Sequence, residues 1–190
     1  MSFKELKINK CYETTANKTD LVDSFYNPVL EQSKLYLRIA GFFSSTSLSV
    51  ISKGIAGLIN NGGKMKLLIS PELSNNDFEI ISRSNTIMDS LDMFKDFDIE
   101  DHASDDYLKL FSWLLANEKI EIKIVVDKNS RSSLFHQKIG VFFDKDSDDL
   151  ISFSGSINET AQAWLSNIEE FKVFKSWEPG QSDYLISDLQ

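Results

Sequence analysis

The sequence predicts an α/β domain in which a mixed, mostly parallel sheet carries helices on both faces. Apolar runs of strand length alternate with helical segments, in the order strand, helix, strand, helices, strand, hairpin, short helix, strand. Hydrophobic residues make up 42% of the 190 positions, which suits one substantial core. No apolar run approaches the ~18 residues of a membrane span. A single soluble domain is the expectation.

The elements come in order. The opening MSFKELKINK has no apolar stretch of the kind a secretory signal needs, and residues 1–22 read as a lead-in to a domain over 23–178. Residues 35–43 read as a strand. Ser44, Ser45, Thr46 and Ser47 then open a helix that runs to Ile59, and one of them serves as its N-cap. Asn60-Asn-Gly-Gly63 stops that helix with residues that tolerate a left-handed backbone. Residues 64–70 form the next strand, 76–115 two or three helices, and 120–126 a strand. Residues 135–143 and 150–156 flank the turn-like Asp144-Lys-Asp-Ser-Asp-Asp149 and read as a hairpin. A short helix over 159–165 and a strand over 169–177 complete the domain, and 179–190 read as a tail or linker.

The chemistry concentrates in one stretch of the chain, FHQKIGVFFDKDSDDLISFSGSINETAQAWLSNIEEFKVF. Alternation along a strand turns His136 and Lys138 the same way. Ser154, Ser156 and Asn158 share parity on the next strand, and Gly155 is expected to let the backbone approach a ligand. Each residue type suits a phosphodiester. An imidazole can attack phosphorus and divide one hard displacement into two easier ones. Lys138 offers positive charge to a non-bridging oxygen, Asn158 adds neutral donors, and Ser156 can hold the phosphate or orient a neighbour. Glu169 can orient an imidazole and support its charged form.

The pattern His136-Gln-Lys138 followed by Gly155-Ser-Ile-Asn158 resembles the phospholipase D-like superfamily, whose signature is H-x-K and then G-S-x-N. In its small nuclease branch a Glu follows the motif Ser by 13 positions, and Ser156 is so followed by Glu169. The resemblance implies His136 as nucleophile, Lys138, Ser156 and Asn158 around the phosphate, and Glu169 orienting a His. The family acid would fall at 143, where this chain has Phe143, so Asp144 reads as a turn or strand-end residue. GFFSS, NNGGKMKLLISPELS and FKVFKSWE are similar to the N-terminal phospholipase D-like domains of bacterial DEAD/DEAH-type helicases and restriction endonucleases, so that the resemblance covers residues 20–178.

Such sites use two His-Lys motifs face to face. The chain has two His, and His102 is followed by Ala103-Ser-Asp105 with no Lys in place. The resemblance therefore implies a twofold homodimer with both His136 side chains at the axis. The expected function is that of a metal-independent DNA endonuclease working through a covalent phosphohistidine, with no cofactor, in a restriction or helicase-linked system. Two other classes are set against it: a non-catalytic DNA-binding or dimerisation module of a larger protein, and a phospholipase or phosphatidyl transferase.

The net charge of −9 sits in one segment. Residues 72–106 hold eleven carboxylates against Arg83 and Lys95 alone, and the rest of the chain carries eighteen charges of each sign. The acidic segment reads as a solvated helical face, and nothing in its spacing makes His102 a metal ligand. Lys123, Lys128, Arg131 and Lys138 supply the positive charge expected near the motif, too little for a long basic track. Most of the fourteen Phe, with Trp164 and Trp177, are expected in the core rather than as base-stacking platforms. The lone Cys11 fits a reducing cytoplasm.

Overall fold

A computed structural model describes residues 1–14, 20–87, 107–126 and 136–189, and among them seven strands form one sheet. These are β1 (Cys11–Glu13), β2 (Ser33–Ala40), β3 (Lys64–Ile69), β4 (Ile120–Ile124), β5 (Ile139–Asp144), β6 (Leu150–Gly155) and β7 (Glu170–Lys175). Their spatial order is β1-β7-β6-β5-β2-β3-β4. The sheet is mixed, but it is not mostly parallel. Only β2 with β3 and β3 with β4 run parallel; β1 with β7, β7 with β6, β6 with β5 and β5 with β2 are antiparallel. The reason lies in the connections. A helical crossover returns the chain in the same direction, whereas a tight turn between β5 and β6 reverses it. Apolar patterning reports a buried strand, not the direction of its neighbour.

The helices are α1 (Asn27–Leu30), entered through a π-helical turn Val22–Tyr26, then α2 (Thr46–Val50), α3 (Ser52–Asn60), α4 (Asn75–Ile87), α5 (Tyr107–Ala116), α6 (Ala161–Leu165) and α7 (Ser182–Asp188). The single helix expected from Ser44 to Ile59 is two, broken at Ile51, where ψ is 22°. Ser45 occupies the N-cap of α2 without a side-chain cap bond. Gly62, at φ 72°, ends α3, and the N–H groups of Gly62 and Gly63 bond back to the Ile59 and Leu58 carbonyls.

Helices lie on both faces of the sheet. On one face, α1, α3 and α5 cover Tyr36, Met65, Leu67, Phe142 and Phe153. An aromatic cluster fills this core: Phe25 meets Tyr12, Tyr26, Phe142, Phe153 and Phe171 with ring centroids 5.1–5.8 Å apart, and Tyr36 stacks on Phe142 at 4.4 Å. Residues 179–190, expected as a tail, contribute α7, which crosses β5, β6 and β7 on the other face. The 1–22 lead-in likewise joins the domain, because β1 is an edge strand and Phe3 is buried. His102, Lys128, Arg131 and most of the acidic segment lie outside the described residues, as does Phe135.

Candidate active site

The residues singled out in the sequence meet at one end of the sheet, where β2 and β6 finish and β5 and β7 begin. His136 and Lys138 stand in the lead-in to β5 rather than inside the strand, since the ladder starts at Ile139. Lys138 continues the parity of Gly140 and Phe142, so it faces the core side of the sheet. Its ammonium donates to the His136 carbonyl at 2.9 Å. Partial burial, and then the charge of Arg38, holds the Lys138 ammonium below the ordinary lysine range, while Glu169 opposes that shift. His136 is exposed.

The second motif is shaped by the close approach of β6 and β7. A Cβ on Gly155 would fall 2.1 Å from the Glu170 carbonyl oxygen and 2.6 Å from the Phe171 Cα. Gly155 therefore makes room for a neighbouring strand, not for a ligand as the sequence suggests. The expected parity of Ser154, Ser156 and Asn158 also stops at this point, because β6 ends at Gly155 and strand alternation does not extend to Ser156 and Asn158. Ser154 stays on the face opposite Phe153. The Ser156 hydroxyl donates to the Glu169 carboxylate and accepts the Glu170 N–H at 3.1 Å.

Glu169 precedes β7 and has the parity of Phe171, on the core side. Glu170 points the opposite way and pairs with Lys172 at 2.6 Å. The other Glu169 oxygen accepts from Asn167 Nδ2 at 3.0 Å. Thr14 braces this turn by accepting the Glu169 N–H and donating to the Asn167 carbonyl, each at 2.6 Å. Glu169 is thus held by Ser156 and Asn167, and no hydrogen bond joins it to His136 among the described residues of this chain.

Asn158 is oriented by the backbone of the β2–α2 loop. Its Oδ1 accepts the Phe42 N–H at 3.1 Å, which leaves the NH₂ group as the end of the amide without a hydrogen bond among the described residues. The loop itself is clamped to the motif, with the Glu159 N–H donating to the Phe42 carbonyl at 3.2 Å and the Ser44 N–H to the Glu159 carbonyl at 3.0 Å. The Asn158 NH₂, the Lys138 ammonium and the His136 imidazole make a donor-rich end of the sheet, suited to a tetrahedral oxyanion.

Two residues that the motifs do not include lie beneath this surface. Arg38 and Glu159 are 1% and 0% exposed, and Arg38 Nε donates to Glu159 Oε2 at 2.8 Å. Arg38 Nη2 donates to the Ile157 carbonyl at 2.5 Å, and the Tyr36 hydroxyl donates to Glu159 at 3.2 Å. The guanidinium lies 4.9 Å from the Phe153 ring centroid. The signal in the sequence is one charge inside an apolar strand, Leu35-Tyr-Leu-Arg-Ile-Ala40, with the core parity of Tyr36. Glu159, expected to start the short helix, instead precedes it, since that helix begins only at Ala161.

Asp144 and Lys123 are elsewhere. Asp144 closes the far end of β5, about 20 Å from Lys138 at ~3.3 Å per residue, and is fully buried. Its carboxylate accepts the N–H groups of Phe3, Asp146 and Ser147 at 2.7, 2.8 and 3.1 Å, a turn-closing role. Lys123 sits on β4, three strands from β5, and pairs with Glu121 at 3.1 Å. Three strand spacings of ~4.8 Å set β4 about 14 Å from β5, so Lys123 lies farther from the motif than its place in the sequence suggests. Among the described residues, Cys11, Glu13 and Glu170 are a group with metal-ligating atoms within 4.8 Å of one another. The Lys172 ammonium already sits among them, 3.0 Å from the Cys11 thiol. No helix among the described residues is long and apolar enough to cross a membrane.

Comparison with known proteins places the fold. No protein-family model matches the chain, and no curated protein sequence does. Solved structures do match. Nuc from Salmonella typhimurium, a phospholipase D family member, is similar with a TM-score of 0.50 at 14% identity, over 94% of this chain and 90% of that one. NucT from Helicobacter pylori is similar with a TM-score of 0.50 at 11% identity, over 94% of this chain and 91% of that one. Yeast tyrosyl-DNA phosphodiesterase matches 81% of this chain with a TM-score of 0.46 at 12% identity, and the chain spans 27% of that longer protein. The likeness to Nuc and NucT runs along nearly the whole of this chain and of theirs, and both motifs converge at one end of the sheet: this protein has the phospholipase D-like fold.

Proposed function

We propose that the chain is a phosphodiesterase of the nuclease kind, acting on DNA without a metal ion. One observation carries the reading: Lys138, Ser156, Asn158 and Glu169 come from separate segments to the same end of the sheet as the exposed His136. The shared fold with Nuc and NucT supports it. In the proposed reaction a His136 ring nitrogen attacks phosphorus, the P–N bond forms, and the P–O bond to the leaving group breaks. A second imidazole gives its proton to the leaving oxygen. That imidazole then takes a proton from water, the resulting hydroxide attacks phosphorus, and the P–N bond breaks to free His136. Lys138 and the Asn158 NH₂ group hold the non-bridging oxygens throughout.

The second imidazole is His136 of another copy, so the active unit is a twofold homodimer. Exposed apolar side chains beside the site support that reading. Phe42 is 39% exposed, Leu165 63% and Ile168 84%, and they neighbour Asn158 and Glu169 in the chain or in the loop bonded to Asn158. Association in a restriction or helicase-linked system, in the cytoplasm, belongs to the same proposal and rests on the sequence resemblance.

The test is cleavage of single- and double-stranded DNA in EDTA, wild type beside His136→Ala, with the oligomer mass recorded in the same buffer. A dimeric wild type that cuts and a dimeric mutant that does not are expected. Equal cutting by both would overturn the mechanism, and a dimer that binds DNA without cutting would make the domain a recognition module.

A further inference from the structure

Asn158 reaches the site from a segment without regular structure, between the end of β6 and α6, and flanking residues on both sides are anchored downward. On its N-terminal side the Ile157 carbonyl accepts from Arg38 Nη2 at 2.5 Å. On its C-terminal side the Glu159 side chain accepts from Arg38 Nε at 2.8 Å and from Tyr36 at 3.2 Å. One guanidinium thus grips the chain just before and just after Asn158. The Glu159 backbone, in turn, forms a bridge to Phe43 and bonds with Phe42 and Ser44, the loop whose Phe42 N–H fixes the Asn158 amide.

From this geometry we infer that the buried Arg38–Glu159 pair is a positioning device for Asn158, setting the direction of its NH₂ group without touching substrate. The inference rests on the phosphodiesterase reading of the site for its effect on turnover, but not for its effect on Asn158. A guanidinium suits this task because its planar fork presents two donors at a set angle. A lysine in its place gathers its three donors on one nitrogen, so it lacks the fixed planar spacing by which Nε and Nη2 hold Glu159 and the Ile157 carbonyl apart. The floor is also tightly built: a Cβ at Gly140, the β5 residue registered with Arg38, would fall 2.1 Å from the Phe153 ring that Arg38 covers.

A double variant separates positioning from folding. Arg38→Met with Glu159→Leu removes both charges and leaves apolar side chains of similar bulk, an exchange that buried ion pairs often tolerate without loss of stability. The expected result is a folded dimer in which kcat for bis(p-nitrophenyl) phosphate falls about ten- to a hundredfold, the range that a small misplacement of a site group produces, while KM changes little. Amide hydrogen exchange at Phe42 should accelerate, and the Asn158 side-chain amide should become mobile by ¹⁵N relaxation. Wild-type kcat together with a protected Phe42 N–H and a rigid amide would overturn the inference.

Should the double variant not fold, Arg38→Lys decides the matter. It keeps the charge opposite Glu159, so a drop in kcat with a mobile Asn158 amide supports positioning, and unchanged values of both overturn it. If the wild type itself shows no turnover, the phosphodiesterase reading fails, and the Phe42 and Asn158 readouts still decide the positioning claim.

Discussion

Two carboxylates ten residues apart divide this site into a rim and a floor. Glu169 lies at the rim, bound to the Ser156 hydroxyl and Asn167 in a turn braced by Thr14. Glu159 lies in the floor, fully buried against Arg38 and Tyr36. The rim groups are exposed or half-exposed, so that contact with a substrate would carry little desolvation cost. The floor groups are shut away from water, where a charge survives only with a partner and donors around it. On the proposed reading the same residue type does different work, reactivity and orientation at the rim and geometry in the floor. Mutations should separate the two: rim changes cost activity, and unpairing a floor charge costs stability.

The largest effect tests that division directly. His136→Ala should lower turnover at least about a thousandfold and shift unfolding free energy by no more than about 0.5 kcal/mol, as for an exposed site away from packing. Urea melts beside cleavage assays would check it, and a strongly destabilised mutant would break the comparison. Glu159→Ala is the reverse case. It leaves the Arg38 charge buried and unpaired, so a loss of about 3–5 kcal/mol is expected, readable as a lower urea midpoint. A mild loss would mean that the floor is not the closed environment its burial implies.

Smaller changes sharpen the boundary. Asn158→Ala removes one neutral donor and should cost about a hundredfold in kcat with a nearly unchanged melting temperature. Gly155→Ala drives a Cβ into the β7 backbone and should cost about 1–3 kcal/mol, with activity falling as Ser156 is displaced. Glu169→Gln removes a carboxylate whose charge raises the Lys138 pKa, so Lys138 should lose its proton at lower pH than in the wild type, and ¹³C-detected titration of its ε-carbon would report the direction. The smallest effect is expected from Lys172→Ala. Its pair with Glu170 is solvent-exposed, and such pairs contribute ~0–1 kcal/mol. DNA cleavage should be unchanged.

The range of each interaction sets how much of this is legible in the chain alone. β6 and β7 can be read to within two residues, because strand alternation, the Asp144–Asp149 turn and the motif spacings are all local, whereas β5 begins four residues later than its apolar run suggests. The same local rule misleads at Gly155, where the neighbouring strand decides what fits, and at Ser156 and Asn158, which lie beyond the end of the strand. Arg38 lies more than a hundred residues from Glu159, and no spacing links them. Lys123 is close to the motif in sequence and remote in space, because β4 occupies the opposite edge of the sheet.

The sequence by itself determined the inventory: which runs can be strands or helices, and that an imidazole, an ammonium, an amide, a hydroxyl and a carboxylate stand at spacings that resemble those of the phospholipase D-like motifs. Only the tertiary structure decided the sheet's largely antiparallel order, the joining of the chain's two ends to the domain as β1 and α7, and the buried ion pair beneath Asn158. The physical reason is that side-chain periodicity is a property of one segment. Strand direction, close backbone approach and the pairing of a buried charge are properties of two segments meeting, and burial makes that meeting stable only when the partner is present.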